Sequence, residues 1–84
     1  MGETHIDTLR ERFTHLVQGN RSVFAYEQEF LQLIRYALEL VATEKMRCKR
    51  FLRGLRKEIQ TYLTAAPPKV FSELAACAKS LQQV

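Results

Sequence analysis

Two histidines, two cysteines, one carboxylate on an apolar face and a run of cations are the residues of this sequence that could do chemistry. His5 and His15 stand ten positions apart, so they do not share a metal ion as an i, i+4 pair on one helix would. Both read as solvated. Cys48 and Cys77 fall on apolar stripes and read as buried, inert thiols. There is no nucleophile elbow, no phosphate loop and no paired His/Cys ligand spacing. No carboxylate pair stands out as isolated. The sequence therefore predicts no enzyme, no metal and no cofactor.

Glu27 falls inside the apolar arc of a helix. A buried carboxylate must find partners or become neutral. Near the start of its helix it gains modestly from the dipole. Gln18 or Arg21 in the preceding turn is within reach, which predicts a small polar network tying turn to helix. The alternative is a groove-edge carboxylate that points to water.

The cations are Lys45, Arg47, Lys49, Arg50, Arg53, Arg56 and Lys57, with no acid between Glu44 and Glu58. Lys49, Arg50 and Arg53 share the helix face opposite Cys48, Phe51 and Leu52. One reading is a solvated face. The other is a polyanion contact through Lys45, Lys49, Arg50 and Arg53, to RNA or a packaged anion, non-specific and salt-dependent. No aromatic residue interleaves with these charges, so base stacking is not suggested.

Five helices must position these groups. The first spans about Thr4 to Val17, with capping-box spacing at Thr4 and Asp7 and one apolar face of Ile6, Leu9, Phe13, Leu16 and Val17. Gln18-Gly19-Asn20-Arg21 breaks it, and Gly19 and Asn20 both tolerate left-handed backbone. Ser22 is a suitable N-cap for a second helix reaching about Leu40. Val23, Tyr26, Phe30, Leu33, Ile34, Ala37 and Val41 form its main stripe. Phe24, Leu31 and Leu38 form another, one heptad apart, which widens the apolar arc beyond what one core-facing side requires. That predicts either a central helix packed on two sides or an oligomer contact along the Phe24 edge.

Thr43 caps a third helix ending near Gly54, a C-terminal cap, with Cys48, Phe51, Leu52 and Leu55 inward. Leu55, Ile59, Tyr62 and Leu63 mark a fourth, stopped by Pro67-Pro68. Phe71, Leu74, Ala75, Ala78 and Leu81 carry a fifth. The expected fold is an all-α, compact bundle of about five short helices in a single domain, residues 1–84.

The totals agree. The chain has 84 residues, of which 46% are hydrophobic and 26% charged, a globular composition rather than a disordered one. Glycine and proline are scarce, which argues against many strands. Its net charge is +4, which permits weak attraction to nucleic acid without establishing it. No run approaches a membrane span, no signal-peptide pattern opens the chain, and Ile6 breaks the myristoylation pattern at Gly2. Two cysteines without a framework fit a reducing compartment.

The order of residues resembles the gag proteins of gypsy-type LTR retrotransposons. The resemblance lies in Gln18-Gly19, Ser22-Val23, Tyr26-Glu27, Phe30, Leu33 and Arg35-Tyr36-Ala37. It continues in Phe51-Leu52-Arg53-Gly54-Leu55 and, after the double proline, in Phe71-Ser72-Glu73-Leu74 and Ala78. It covers roughly residues 9 to 82, and its specificity lies in the ordered set rather than in any one motif. It implies a retroviral capsid C-terminal-domain-like fold. The segment from Gln18-Gly19 to Phe30 is similar to the retroviral major homology region, which implies an assembly-supporting network of Gln18, Gly19, Ser22, Tyr26, Glu27 and Phe30. Ser22 stands near the place of the retroviral acidic residue, a role Glu27 would take over.

Retroviral relatives often dimerise through the helix equivalent to Thr43–Arg53. Here Lys49 and Arg50 on its outer face would repel across a two-fold axis. The expected contact is therefore the first helix or the Phe24, Leu31 and Leu38 edge. The function implied is self-association, as homodimer and capsid lattice, into a cytoplasmic virus-like particle, with RNA as a weak further partner. The alternatives are a domesticated dimerisation or adaptor domain and a non-specific RNA-contacting domain.

Overall fold

The computed structural model describes residues 2–82, with the side chains of residues 6–81. The described residues form five α-helices and no strand: α1 (Gly2–Thr14), α2 (Val23–Leu33), α3 (Glu44–Gly54), α4 (Lys57–Thr64) and α5 (Phe71–Gln82). Two short 3-10 turns, Ile34–Tyr36 and Leu38–Val41, join α2 to α3. This is the all-α bundle of five short helices the sequence predicts.

Local chemistry fixes most of the boundaries. The Ser22 hydroxyl accepts the Ala25 amide at 3.1 Å, and the Thr43 hydroxyl accepts the Met46 amide at 3.1 Å. Each satisfies a helix N–H that has no partner within its own helix. Glu44 at the start of α3 and Arg53 at its end complement the helix dipole. Helix α5 is capped from outside: the Glu44 carboxylate accepts the Phe71 amide at 2.5 Å. Helix α1 already runs from Gly2, ahead of Thr4, so Thr4 does not precede it as a cap. The side chains of Thr4 and His5 lie outside those described.

The core is a single cluster centred on Phe30. Its ring lies 5.2 Å from Phe13, 6.2 Å from Tyr26, 5.2 Å from Phe51 and 5.4 Å from Phe71, centroid to centroid. One residue of α2 thus joins α1, α3 and α5. Aromatic pairs at these distances add about 0.5–1.5 kcal/mol each beyond the area they bury.

Several boundaries and faces differ from expectation. Helix α2 stops at Leu33 rather than near Leu40, because Ala37 (φ −146°, ψ 42°) leaves helical backbone. Ile34, Ala37 and Val41 are all buried across the break, and Arg10 donates to the Tyr36 carbonyl at 2.9 Å. Ile6 and Val17 are exposed, as is Tyr62 on α4. Ile6 and Tyr62 have the helical angle of the apolar face, but no other element covers them there; Val17 lies past the end of α1, which stops at Thr14 rather than Val17. Cys48 is buried and Cys77 is exposed. Gly19 takes the left-handed backbone expected of it (φ +58°), and Asn20 does not. Gly54 is not a left-handed cap. A Cβ there would collide with the Tyr26 hydroxyl and stand 2.7 Å from its ring carbon Cζ, so this glycine admits the tyrosine.

Candidate functional site

The turn between α1 and α2 is fastened to the α3–α4 junction by polar groups. Gln18 is fully buried. Its backbone N–H donates to the Gly54 carbonyl at 2.7 Å and its side-chain Nε2 to the Arg21 carbonyl at 2.9 Å. Its Oε1 accepts the Arg56 amide at 3.0 Å, while Arg56 Nε donates to the Gly19 carbonyl at 2.9 Å. Below this lies Tyr26, whose hydroxyl donates to the Phe51 carbonyl at 3.0 Å. Burial pushes the Tyr26 phenol up to about 12, with the nearby Arg50 guanidinium opposing part of that rise. Ser22 caps α2 and Phe30 occupies the centre of the core.

The Glu27 expectation needs correction. Its carboxylate pairs with Lys79 of α5 at 2.9 Å, rather than with Gln18 or Arg21 in the turn. Glu27 stands on the side of α2 against which α5 packs, whereas Glu29 stands on the side that meets Arg12 and Arg21. Lys79 also lies 5.9 Å from the centroid of the Phe24 ring. The acid that serves the turn is Glu29, paired with Arg21 and, at 2.9 Å, with Arg12. The Arg21 hydrogen bond, with Arg12 adding to it, holds the Glu29 carboxyl below its usual range. Sequence reading missed Glu29, since the partners that recruit it come from α1 and from the turn.

The basic run divides. Arg50 reaches across to the end of α1, where one terminal nitrogen donates to the carbonyls of Phe13 (2.6 Å), Thr14 (3.1 Å) and Leu16 (3.0 Å). Phe13 and Thr14 are the last residues of α1, whose carbonyls lack i+4 partners within the helix, and Leu16 lies just past its end. Burial lowers the Arg50 pKa, and its guanidinium carbon stands 5.2 Å from the Phe13 ring centroid. Arg50 is therefore not on a free polyanion face. Arg47 is half-buried, with its guanidinium carbon 6.0 Å from the Phe71 centroid and its Nε without a hydrogen-bond partner. Arg56 is held in the turn network. Lys45, Lys49 and Arg53 are exposed.

The second apolar stripe does not pack inward. Phe24 is 59% exposed, Leu31 42% and Leu38 58%. Phe24 and Leu31, two helical turns apart, share a face of α2, whereas Leu38 lies beyond the break on the second 3-10 turn. This overturns the expectation of a helix packed on both sides. A groove of about 670 Å³, lined by none of these residues, opens between α3 and the Pro67-Pro68 loop. Among the described residues, no helix is long and apolar enough to cross a membrane.

No curated protein and no solved structure matches the chain. The family model of the PEG10/RTL1, C-terminal capsid-like domain matches residues 10–83, so the chain belongs to that family and is a gypsy-derived gag capsid domain with a structural role.

Proposed function

We propose that this domain self-associates through the exposed apolar edge of Phe24 and Leu31, with Leu38 beside it, as a subunit of a capsid-like shell. The observation that carries the reading is that α2 turns two large apolar side chains, on one face, toward solvent. Such residues, when grouped, mark contact surfaces. A two-fold axis beside Phe24 would place the same patch against itself, and weak contacts suffice when many repeat across a lattice. The turn network of Gln18, Gly19 and Arg56 serves this role by holding the start of α2 in one orientation. The shell is a cytoplasmic, virus-like particle in this reading.

Sedimentation equilibrium over a wide concentration range tests it. The expected result is a reversible monomer–dimer equilibrium that Phe24→Ala and Leu31→Ala each shift toward monomer. A strict monomer at millimolar concentration, or a dimer indifferent to both changes, overturns the reading.

A further inference from the structure

The groove between α3 and α5 has the composition of a peptide site. Its floor is apolar, with half-buried Leu52, buried Cys48 and fully buried Leu74. Pro67 and Pro68 form one wall. Lys45, Lys49 and Lys69 line it as well, and all three are exposed. The volume, about 670 Å³, lies within the range that encloses a small ligand or a few side chains.

The groove is also held open by the fold. The Cys48 thiol donates to the Lys69 carbonyl at 3.6 Å, and the Glu44 carboxylate accepts the Phe71 amide. These bonds fasten both the loop and the start of α5 to α3. Proline fixes its own backbone φ, so the wall has little freedom left to lose on binding. Glu44, the acid at the start of α3, accepts the Phe71 amide but keeps its charge, which is felt at Cys48 in the groove floor; the three lysines outnumber it.

We propose that this groove binds a short acidic peptide of another protein, which inserts a leucine or phenylalanine over Leu52 and sets carboxylates against Lys45, Lys49 and Lys69. Charge complementarity selects the class of partner. The apolar floor supplies the anchor that a purely electrostatic contact lacks. RNA would meet the lysines but leave the floor uncovered, and the groove offers no aromatic ring for a base to stack on. The surface is separate from the Phe24 edge.

The test is fluorescence polarisation with a labelled glutamate-rich peptide that carries leucine and phenylalanine at i, i+4 spacing. The comparison probes are the same peptide with lysine for every glutamate, and labelled oligouridine. The acidic peptide is expected to bind, and to weaken as salt rises. Affinity should fall at least about tenfold in the K45E/K49E/K69E chain, because three charge pairs are reversed together. It should fall similarly in Leu52→Ser, and remain unchanged in Phe24→Ala. The lysines are exposed, so a normal thermal melt of the triple variant separates lost binding from lost fold. No binding of the acidic peptide overturns the proposal. So does equal binding by the Leu52→Ser chain, displacement by oligouridine, or a triple variant whose only change is in self-association.

Discussion

On the flank of α3 that faces α1, Arg50 gives its guanidinium to three carbonyls at the end of that helix. On the flank that faces the Pro67-Pro68 loop, Lys45 and Lys49 stand exposed around an apolar groove. Both flanks derive from one run of cations that no acid interrupts. The difference lies in the head group. A guanidinium is planar, delocalised and weakly hydrated, so it can be half-buried against a ring and still donate. An ammonium keeps its water. Along α3 the arginines Arg47 and Arg50 are half-buried in the packing, whereas Lys45 and Lys49, with Arg53, are exposed.

The sharpest way to break the fastened flank is at its closest approach. Gly54→Ala gains about 1 kcal/mol of helix propensity but forces a methyl into the buried Tyr26 side chain, at about 3 kcal/mol of overpacking. A net loss of about 2 kcal/mol is expected in urea unfolding. A neutral result would mean that the Tyr26 ring can swing aside.

Next in size is Arg50→Lys, which keeps the charge but removes the planar guanidinium that lies over the Phe13 ring and places Nη2 among the three carbonyls. Hydrogen bonds to charged groups are worth about 1.5–3 kcal/mol, and most of that should be lost, as in Arg50→Ala. If lysine restored full stability, charge alone would hold α1 and the contrast with Lys49 would collapse.

Tyr26→Phe removes one buried hydrogen bond, at about 0.5–1.5 kcal/mol at neutral pH. It also changes the alkaline limb. The folded phenol titrates at about 12, above its ordinary 10.0, so its contribution is whole below pH 10 and disappears as pH climbs through 12. The Phe variant should lack that part of the decline, measured as stability against pH.

The smallest effect belongs to the open flank. Lys45→Ala and Lys49→Ala should each change stability by no more than about 0.5 kcal/mol. A larger loss would make those lysines structural and remove them from any binding surface.

Much of the fold was legible because its determinants are local. Ser22 and Thr43 cap their helices from within, and the stripe from Val23 to Val41 is buried even though its helix breaks at Ala37. Periodicity assigns an angle around an axis, however, and not the element that will cover it. Ile6 and Tyr62 have the inward angle and meet solvent, and Val17 lies past the helix that its spacing extended. The break itself was hidden, since Arg35-Tyr36-Ala37-Leu38-Glu39 contains neither glycine nor proline. The polar sites were legible only in part. Gln18 and Gly19 stood out by type and position, whereas the pairing of Glu27 with Lys79, and of Arg50 with α1, joins residues distant in sequence that no spacing rule connects.

The two glycines of the turn network are open to very different histories of change. At position 19 an added Cβ would meet nothing within 4 Å, so the only penalty is the left-handed backbone, which asparagine and aspartate carry at small cost. Drift among Gly, Asn and Asp should leave the domain intact there. Position 54 is bound to position 26, because any side chain must first displace a tyrosine from the core. Related domains that have lost Gly54 should therefore also have replaced Tyr26 by a smaller residue, a paired exchange readable from sequences alone.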